Sequence, residues 1–189
     1  MDRGAIFLDR DGTVIEEVGY LSKIEDIQLL PGAAEGIRRF NEAGWPVIVI
    51  TNQSGVARGY FPESFVHEVH STISSMLARY GAKIDAWYYC PHHPDGVVDG
   101  YVFKCPSRKP ATGMIDTACR EHGISASSSV VAGDSLKDIE LAIAVGARPV
   151  LVTTGYGRQT FETMPDSVRK DLFAKVERLD DLAVLVCGS

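Results

Sequence analysis

Two carboxylates that directly follow a short apolar run are the residues of this sequence best placed to do chemistry. Asp9 and Asp11 come after residues 5–8, Ala-Ile-Phe-Leu, and are followed by Gly12. Such a run is typical of a buried parallel strand. Two acids at its end are costly to bring together unless a cation or a proton lies between them. Taken alone, the stretch indicates either a cation-dependent site or a solvated Asp/Gly turn, and it favours neither.

Polar side chains at other strand ends suit the same site. Residues 51–54, Thr-Asn-Gln-Ser, end the apolar run VIVIT. Arg108 and Lys109 stand just before a predicted helix, and Asp134 closes another apolar run with Asp138 one helical turn later. In an open α/β sheet, ligands bind beyond the carboxyl ends of the strands. We therefore expect all these groups to meet at one edge of a sheet.

Together these groups have the chemistry of a phosphoryl-transfer site, which depends on positioning and charge stabilisation. Asp9 can act as the nucleophile and Asp11 as the general acid and base. Asp9 and Asp134 can supply the hard oxygen ligands that Mg²⁺ prefers. Lys109 can pair with phosphoryl oxygens while the Thr51 hydroxyl donates a hydrogen bond. Each group alone also has a structural explanation, such as a helix N-cap or a loop cation, but their joint occurrence in this order favours the site.

The elements that must position these groups alternate between strand and helix. Strands are predicted at residues 5–8, 47–51, 84–89, 129–132, 149–153 and 173–176. Helices are predicted after Pro31, after Pro62, and at residues 112–121, 136–144 and 180–186. This alternation predicts an α/β fold with a mostly parallel sheet and helices on both faces. We expect one domain over residues 1–189, with an extended connection at about 90–110.

The bulk composition limits the functions open to the chain. Its 189 residues are 45% hydrophobic and carry a net charge of −6, which argues against binding nucleic acid or anionic lipid by charge alone. No apolar segment reaches the length of a membrane span, and the N-terminus lacks the pattern of a signal peptide. We expect a cytoplasmic, monomeric protein with a small-molecule substrate, whose four cysteines do not form disulfides.

Four motifs in this order resemble those of the haloacid dehalogenase (HAD) superfamily of phosphatases. They are LDRDGT at 8–13, TNQSG at 51–55, RKP at 108–110 and GDSLKD at 133–138. The resemblance implies a Rossmann-like core, an aspartyl-phosphate intermediate and dependence on Mg²⁺. The Mg²⁺ ligands that it implies are Asp9, Asp11 and Asp134, with Asp138 behind them. The catalytic residues that it implies are Asp9, Asp11, Thr51, Arg108 and Lys109.

Further motifs resemble one family within that superfamily, the D-glycero-D-manno-heptose 1,7-bisphosphate 7-phosphatases. They are VGY at 18–20, TNQSGVARG at 51–59 and YYCPHHP at 88–94. The resemblance implies removal of the 7-phosphate on the cytoplasmic route to ADP- or GDP-heptose for lipopolysaccharide, and short insertions in place of a full cap domain. The substrate contacts that it implies are Asp9, Arg10, Asp11, Glu17, Val18, Gly19, Tyr20, Thr51, Asn52, Gln53, Ser54, Arg108, Lys109 and Ser135.

Two other functions share parts of this pattern. Histidinol-phosphate phosphatases have much of the same motif set, and they differ in substrate rather than in chemistry. A phosphate-binding module without catalysis is the alternative from another class. The presence of Asp9, Asp11, Lys109 and Asp134 together argues against that module, because a lesion in any of them would have favoured it.

The connection at 90–110 departs from the family pattern at one position. The family holds a structural zinc ion with Cys-x-His and then Cys-x-Cys directly before RKP. Here the ligands implied by the resemblance are Cys90, His92 and Cys105, and Ser107 replaces the fourth. Structural zinc sites almost always have four protein ligands. Three outcomes stay open: a weakened zinc site completed by His93 or water, a connection without metal, or another ligand from elsewhere.

Overall fold

The computed structural model describes residues 3–188, which contain six parallel strands in one sheet with the order β3-β2-β1-β4-β5-β6. The strands are β1 (Ile6–Leu8), β2 (Val47–Asn52), β3 (Ala86–Cys90), β4 (Val130–Gly133), β5 (Arg148–Val152) and β6 (Ala174–Val176). The helices are α1 (Ala33–Glu42), α2 (Glu63–Ala78), α3 (Gly113–His122), α4 (Leu136–Ala144), α5 (Gly157–Thr163), α6 (Asp166–Arg169) and α7 (Leu179–Cys187). Short 3₁₀ helices lie at Ile24–Asp26 and Ala126–Ser128.

The sheet is covered on both faces, as the apolar strands predict. Ile6 and Leu8 pack on one side with buried residues of α1, α2 and α7, whereas Phe7 packs on the other side with residues of α3 and α4. Side chains alternate across a strand, so a strand buried on both faces reads as a continuous apolar run. The predicted α/β architecture, with a Rossmann-like parallel sheet and helices on both faces, is confirmed.

The register of the central strands decides where the functional groups emerge. Leu8 lies opposite Val49 of β2 and Ala132 of β4, and the Asp9 N–H donates to the Ala132 carbonyl at 2.9 Å. β1 and β4 therefore end within one residue of each other, and β2 continues three residues further, to Asn52. Because the chain proceeds from β1 to one side of the sheet and later returns to the other side, the crevice at this edge is a topological switch point.

Element boundaries agree with the sequence predictions to within about two residues, with two differences. The third strand begins at Ala86 rather than at residue 84, since the Asp85 carboxylate accepts the Val47 N–H at 2.9 Å before the ladder begins. The short helices α5 and α6 were not predicted. Only Gly157 and Thr160 are buried in these two helices, so this stretch has no apolar periodicity to detect. None of the helices in residues 3–188 is long and apolar enough to cross a membrane.

Candidate active site

A cavity of about 420 Å³ opens at the carboxyl edge of the central strands. Asp9, Thr51 and Asp134, which end or follow β1, β2 and β4, all line it. Every residue for which the motifs implied a substrate contact also lines it, except Val18, whose side chain points out with 49% of its surface exposed. The contact implied at Val18 stays a prediction, while its neighbours Glu17 and Gly19 line the cavity.

Lys109 is the buried cation of the site. Its Nζ lies 2.7 Å from Asp9 Oδ1 and 2.6 Å from Asp138 Oδ1, and it donates to the Ile50 carbonyl at 3.0 Å. Burial alone lowers the pKa of Lys109, but the negative charges of Asp138 and Asp9 more than offset burial, so the pKa is raised. The ammonium group is thus permanently charged beside the predicted nucleophile.

Asn52 holds the backbone that carries this lysine. Its Oδ1 accepts the Lys109 N–H at 3.0 Å and its Nδ2 donates to the Lys109 carbonyl at 3.2 Å. This pair of bonds fastens the end of β2 to a segment 57 residues further along the chain. Asn52 lines the cavity, as predicted for a substrate contact, and it also positions Lys109, which the sequence did not indicate.

Asp9 and Asp134 are kept close together in a poorly solvated place. Burial raises the pKa of Asp9 to about 7, since the attraction of Lys109 only partly opposes burial and the repulsion of Asp138. Burial and the neighbouring Asp9 raise the pKa of Asp134 to about 8. Burial and mutual repulsion thus disfavour two negative charges here, and a cation bound between the two carboxylates would offset both effects.

Two glycines leave the space that the Asp134 carboxylate occupies. Gly12 and Gly155 flank the carboxylate, and a Cβ at either position would lie 2.1 Å from Asp134 Oδ2. Both residues also have positive φ angles, 76° and 50°, which favour glycine. The Tyr156 N–H then donates to Asp134 Oδ2 at 2.8 Å and fixes its orientation. The loop after β5, which lies outside the predicted motifs, therefore completes the site.

Asp138 lies behind the nucleophile, as the resemblance implied. Its Oδ1 accepts a hydrogen bond from Lys109 Nζ. Its Oδ2 accepts hydrogen bonds from the Ser135 N–H at 3.1 Å and from the Ser135 hydroxyl at 2.6 Å. Both oxygens are thus engaged within the protein. Asp138 caps α4 and orients Lys109.

Asp11 is set apart from the other three acids. Its carboxylate accepts bonds from the Arg10 guanidinium at 3.0–3.2 Å and from Gln53 Nε2 at 2.9 Å. The Thr51 hydroxyl lies 3.5 Å from Asp11 and accepts from Gln53 at 2.8 Å. Carboxylate oxygens of Asp9, Asp134 and Asp138 lie within 4.8 Å of one another, and Asp11 is not among them. The Asp11 carboxylate thus lies outside this cluster, and ligation of Mg²⁺ by Asp11, which the resemblance implied, stays a prediction.

Residues 17–20, the segment predicted to contact the substrate, make specific contacts at the entrance of the cavity. The Glu17 carboxylate accepts the Gly19 N–H, and burial raises the pKa of this carboxyl. The Tyr20 ring contacts the Tyr60 ring edge-on, with 4.5 Å between the centroids. Tyr20 is still 46% exposed, so the pair forms an open aromatic wall at the mouth of the cavity.

The possible zinc ligands also come together. The Cys90 thiol lies 3.7 Å from His92 Nδ1, and one donor atom each from Cys90, His92 and Cys105 falls within a 4.8 Å cluster. At Ser107 the backbone N–H, not the hydroxyl, contacts the Cys105 sulfur, at 3.4 Å. Burial raises the pKa of Cys90 to about 11. Three donors of the zinc-binding kind are thus assembled.

His93 does not join this cluster. Its Nδ1 accepts the Asp95 N–H at 3.0 Å, and its Nε2 lies 3.3 Å from Arg58 Nη2. The imidazole lines the active-site cavity instead. Completion of a zinc site by His93, which the sequence left open, is therefore not supported.

Comparison with known proteins gives the relatives of this chain. Family models described as HAD-hydrolase-like and as polynucleotide kinase 3 phosphatase match residues 106–181 and 5–143. The D-glycero-D-manno-heptose-1,7-bisphosphate 7-phosphatase of Thermosynechococcus vestitus is 43% identical over 187 residues, which cover 94% of this chain and 95% of that protein. The chain belongs to this family of HAD phosphatases.

Two further relatives agree with this membership. The D-glycero-beta-D-manno-heptose-1,7-bisphosphate 7-phosphatase of Pseudomonas putida is 39% identical over 83% of this chain and 86% of its own length. The crystal structure of the D,D-heptose 1,7-bisphosphate phosphatase from B. bronchiseptica, solved with magnesium and phosphate, superposes with a TM-score of 0.83. It is 34% identical and covers 97% of both chains. The fold of that relative thus matches this chain along nearly its full length.

The residues of this chain fit Mg²⁺. Asp9 and Asp134 offer hard carboxylate oxygens, and their raised pKa values show that the protein alone does not neutralise their charge. Asp138 has both oxygens engaged, which leaves Asp9 and Asp134 as the side chains able to hold the ion. When bound there, Mg²⁺ supplies the positive charge that offsets both the carboxylates and a phosphate.

Several cavity-lining residues escaped the sequence analysis. They are Leu21, Gly55, Arg58, Phe61, Lys137 and Tyr156, together with His93, which the sequence indicates only as a metal ligand. Arg58 and Lys137 lie inside the quoted motifs TNQSGVARG and GDSLKD, so a signal was present. Nothing in the local sequence marks Tyr156, because its place in the site depends on the approach of the loop after β5.

Proposed function

We propose that this chain is a Mg²⁺-dependent phosphatase that removes the 7-phosphate of D-glycero-D-manno-heptose 1,7-bisphosphate through an aspartyl-phosphate intermediate. One observation carries the proposal: Asp9 stands at the end of the central strand, ion-paired with buried Lys109 and facing the 420 Å³ cavity. The substrate is that named for relatives 43% and 38% identical over 94% and 92% of this chain.

Asp9 is the nucleophile of the proposed reaction. Its Oδ1 receives the Lys109 ammonium and also the Arg10 N–H at 2.8 Å, so the carboxylate is fixed before substrate binds. An Asp9 oxygen bonds to phosphorus while the bond from phosphorus to the sugar oxygen breaks. Lys109 and the Thr51 hydroxyl stabilise the charge on the phosphoryl oxygens. A water molecule then cleaves the aspartyl-phosphate and releases inorganic phosphate.

Asp11 handles the protons of both steps. It donates a proton to the departing sugar oxygen and later accepts one from the attacking water. Arg10 and Gln53 hold its carboxylate at the cavity wall, apart from the cation-binding acids. This separation supports different roles for Asp11 and the other acids, because a carboxylate bound to the metal ion would be a poor proton donor. Asp11 therefore acts as the acid and base, and Asp9 and Asp134 hold the cation.

The substrate assignment is tested by comparing kcat/KM on heptose 1,7-bisphosphate and on histidinol phosphate, with Mg²⁺ present. We expect kcat/KM to be higher for the bisphosphate by at least about 100-fold. The cavity contains cationic side chains besides Lys109, and these do not form ion pairs with the imidazole of histidinol phosphate. The position of cleavage follows from whether the product retains the 1-phosphate. Faster hydrolysis of histidinol phosphate would reverse the assignment. Binding of sugar phosphates without any hydrolysis would point to a module without catalysis.

The cluster of Cys90, His92 and Cys105 is proposed to bind zinc with three protein ligands. Its place in the connection before Arg108 supports a structural rather than a catalytic role. A hydroxyl at position 107 is a poor replacement for a thiolate, so zinc should be retained less firmly than at a four-ligand site.

Replacing Ser107 by Cys is expected to strengthen zinc retention. The substitution adds a thiolate two residues after Cys105, and four thiolate and imidazole ligands satisfy tetrahedral zinc. Elemental analysis after dialysis against a chelator should find about one zinc per chain in Ser107→Cys under conditions that strip the unmodified protein. Cys119→Ser, outside the cluster, is the matched control. Equal zinc loss from Ser107→Cys and the unmodified chain would contradict the site.

A further inference from the structure

The connection at residues 90–110 is tied to α2 by one carboxylate. No helix or strand lies at residues 91–112, between β3 and α3. Glu63, in the first turn of α2, accepts hydrogen bonds from the hydroxyl groups of Tyr89 in β3 and Tyr101 in the connection, at 2.9 and 2.6 Å. A stretch of this length without secondary structure needs contacts of its own to keep one shape. Glu63 therefore joins a helix, a strand and the connection.

The two tyrosines and the carboxylate have matching hydrogen-bonding roles. The Tyr89 hydroxyl has one proton, which it gives to Glu63, so its 3.0 Å contact with His67 Nε2 is a bond that the imidazole donates. The bond from Tyr101 lowers the pKa of the Glu63 carboxyl, which burial opposes only in part. Burial and the Glu63 carboxylate raise the pKa of Tyr89 to about 12. At neutral pH a charged acceptor thus faces two protonated phenols, the combination that gives strong hydrogen bonds.

Tyr101 lies where the connection folds back on itself. The His93 N–H donates to the Tyr101 carbonyl at 3.0 Å, and the Tyr101 N–H donates to the Val98 carbonyl at 3.1 Å. The Tyr101 ring lies 5.8 Å from the His92 ring, measured between centroids. The hydrogen bond to Glu63 therefore fixes both arms of this fold, including the two adjacent histidines.

The same segment leads into the active-site cavity. Arg108 Nη1 donates to the His92 carbonyl at 3.3 Å, and both Arg108 and His93 line the cavity. Lys109 is held separately, because its backbone is bonded to Asn52 at the end of β2. A shift of the connection would therefore move Arg108 and His93 and leave the reacting centre in place.

The metal-binding cluster of the connection has three side-chain donors, Cys90, His92 and Cys105. Ser107 stands where the resemblance implied a fourth. A structural zinc site with four protein ligands fixes its loop by itself, whereas three ligands hold the ion less firmly. Contacts that do not depend on metal then decide whether the connection keeps its shape when the ion is lost.

We propose that Glu63 is a positioning residue, which holds the connection against α2 through Tyr89 and Tyr101 and so keeps Arg108 and His93 in the cavity whether or not zinc is bound. Zinc and Glu63 act on the same segment, so the loss of both should disturb it more than the loss of either. The inference rests on the proposed function only where catalysis is measured, because the contacts of Glu63 are independent of the reaction.

Trypsin cleavage after Lys104, an exposed residue of the connection, measures whether this segment keeps its shape. Its rate is taken relative to cleavage after Arg178, exposed before α7, so that global unfolding does not count. We expect the unmodified chain to be cut slowly before and after dialysis against a chelator. Chelator-treated Glu63→Met should be cut at least about 10-fold faster. Glu68→Met, at an exposed position on α2, is the matched control and should behave like the unmodified chain.

Kinetics of the chelator-treated protein, with Mg²⁺ added back, give the second measurement. Tyr101→Phe keeps the ring and removes the donor, so KM for heptose 1,7-bisphosphate should rise by about 3- to 10-fold while kcat stays within about twofold. Tyr80→Phe, at a position 62% exposed, is the control and should change neither. Adding Tyr101→Phe to Glu63→Met should raise KM little further, because both substitutions remove the same bond. Glu63→Gln retains one acceptor oxygen and should recover part of the loss.

Rapid cleavage after Lys104 in the chelator-treated unmodified chain would overturn the proposal, since metal alone would then hold the connection. Equal relative cleavage of Glu63→Met and Glu68→Met would overturn it as well, as would an additive rise of KM in the double variant. If the unmodified chain does not hydrolyse the bisphosphate, the proposed function fails, and the cleavage rates still decide the role of Glu63. Faster cleavage confined to Lys104 in Glu63→Met, with partial recovery in Glu63→Gln, supports the proposal.

Discussion

Replacing Asp9 by Asn is expected to lower kcat for phosphate release by on the order of 10⁴-fold or more. The amide has nearly the shape of the carboxylate but lacks the negative oxygen that attacks phosphorus. Lys109 retains its contact with Asp138 in this variant, so the fold should survive. The measurement is phosphate release from heptose 1,7-bisphosphate, with circular dichroism and thermal unfolding on the same samples.

The matched control is Asp95→Asn, which removes an aspartate that is 82% exposed. It should retain most of the activity, since its carboxylate makes no contact with the Asp9 centre. An Asp9→Asn variant that folds and keeps activity within tenfold of the unmodified chain would contradict the role of Asp9 as nucleophile. The reason is that a general electrostatic role tolerates the amide far better than a covalent role does.

Replacing Lys109 by Met is expected to abolish activity and to lower the free energy of unfolding by about 3–5 kcal/mol. The substitution leaves Asp9 and Asp138, whose side chains are 12% and 1% exposed, without their common cation. Removing one partner of a buried ion pair is costly because the remaining charge stays buried without compensation. Urea unfolding, measured in the absence of Mg²⁺, gives the stability change directly.

A double variant separates the two effects of that lysine. Lys109→Met combined with Asp138→Asn removes the uncompensated charge and should recover part of the lost stability, while activity stays absent. Lys83→Met is the control, since Lys83 is 70% exposed beside Asp85 and such surface pairs contribute about 1 kcal/mol or less. Equal stability of Lys109→Met and Lys83→Met would show that the buried ion pair does not stabilise the fold.

Much of the fold and of the site follows from local sequence. The apolar run before Asp9 has the length and continuity of a strand covered on both faces, and the structure places it at the centre of the sheet. Parallel strands end at one edge, so the placement of Thr51 and Asp134 beside Asp9 required only the topology. The positions of α5 and α6 could not be predicted, because they carry little buried apolar surface.

The connection at residues 90–110 shows where the local sequence pattern stops being sufficient. The sequence indicated three ligands and left the fourth open, with His93 as one choice. The structure brings Cys90, His92 and Cys105 together but turns His93 towards Arg58. The Cys-x-His spacing marks His92, but whether the adjacent His93 joins it depends on how the connection packs against the turn at residues 54–59.

The sequence by itself determined that Asp9 and Asp11 follow a buried strand and that the chain has the motifs of a HAD phosphatase. It could not predict that Asp9 and Asp11 have different ionic partners, because the two side chains are chemically identical and differ only in which distant residues contact them. The tertiary structure decided this by bringing Lys109 to Asp9 and Gln53 to Asp11, from positions far along the chain. The position of a strand along the chain is encoded in local hydrophobicity, whereas the partner of a buried charge depends on which distant segment approaches it.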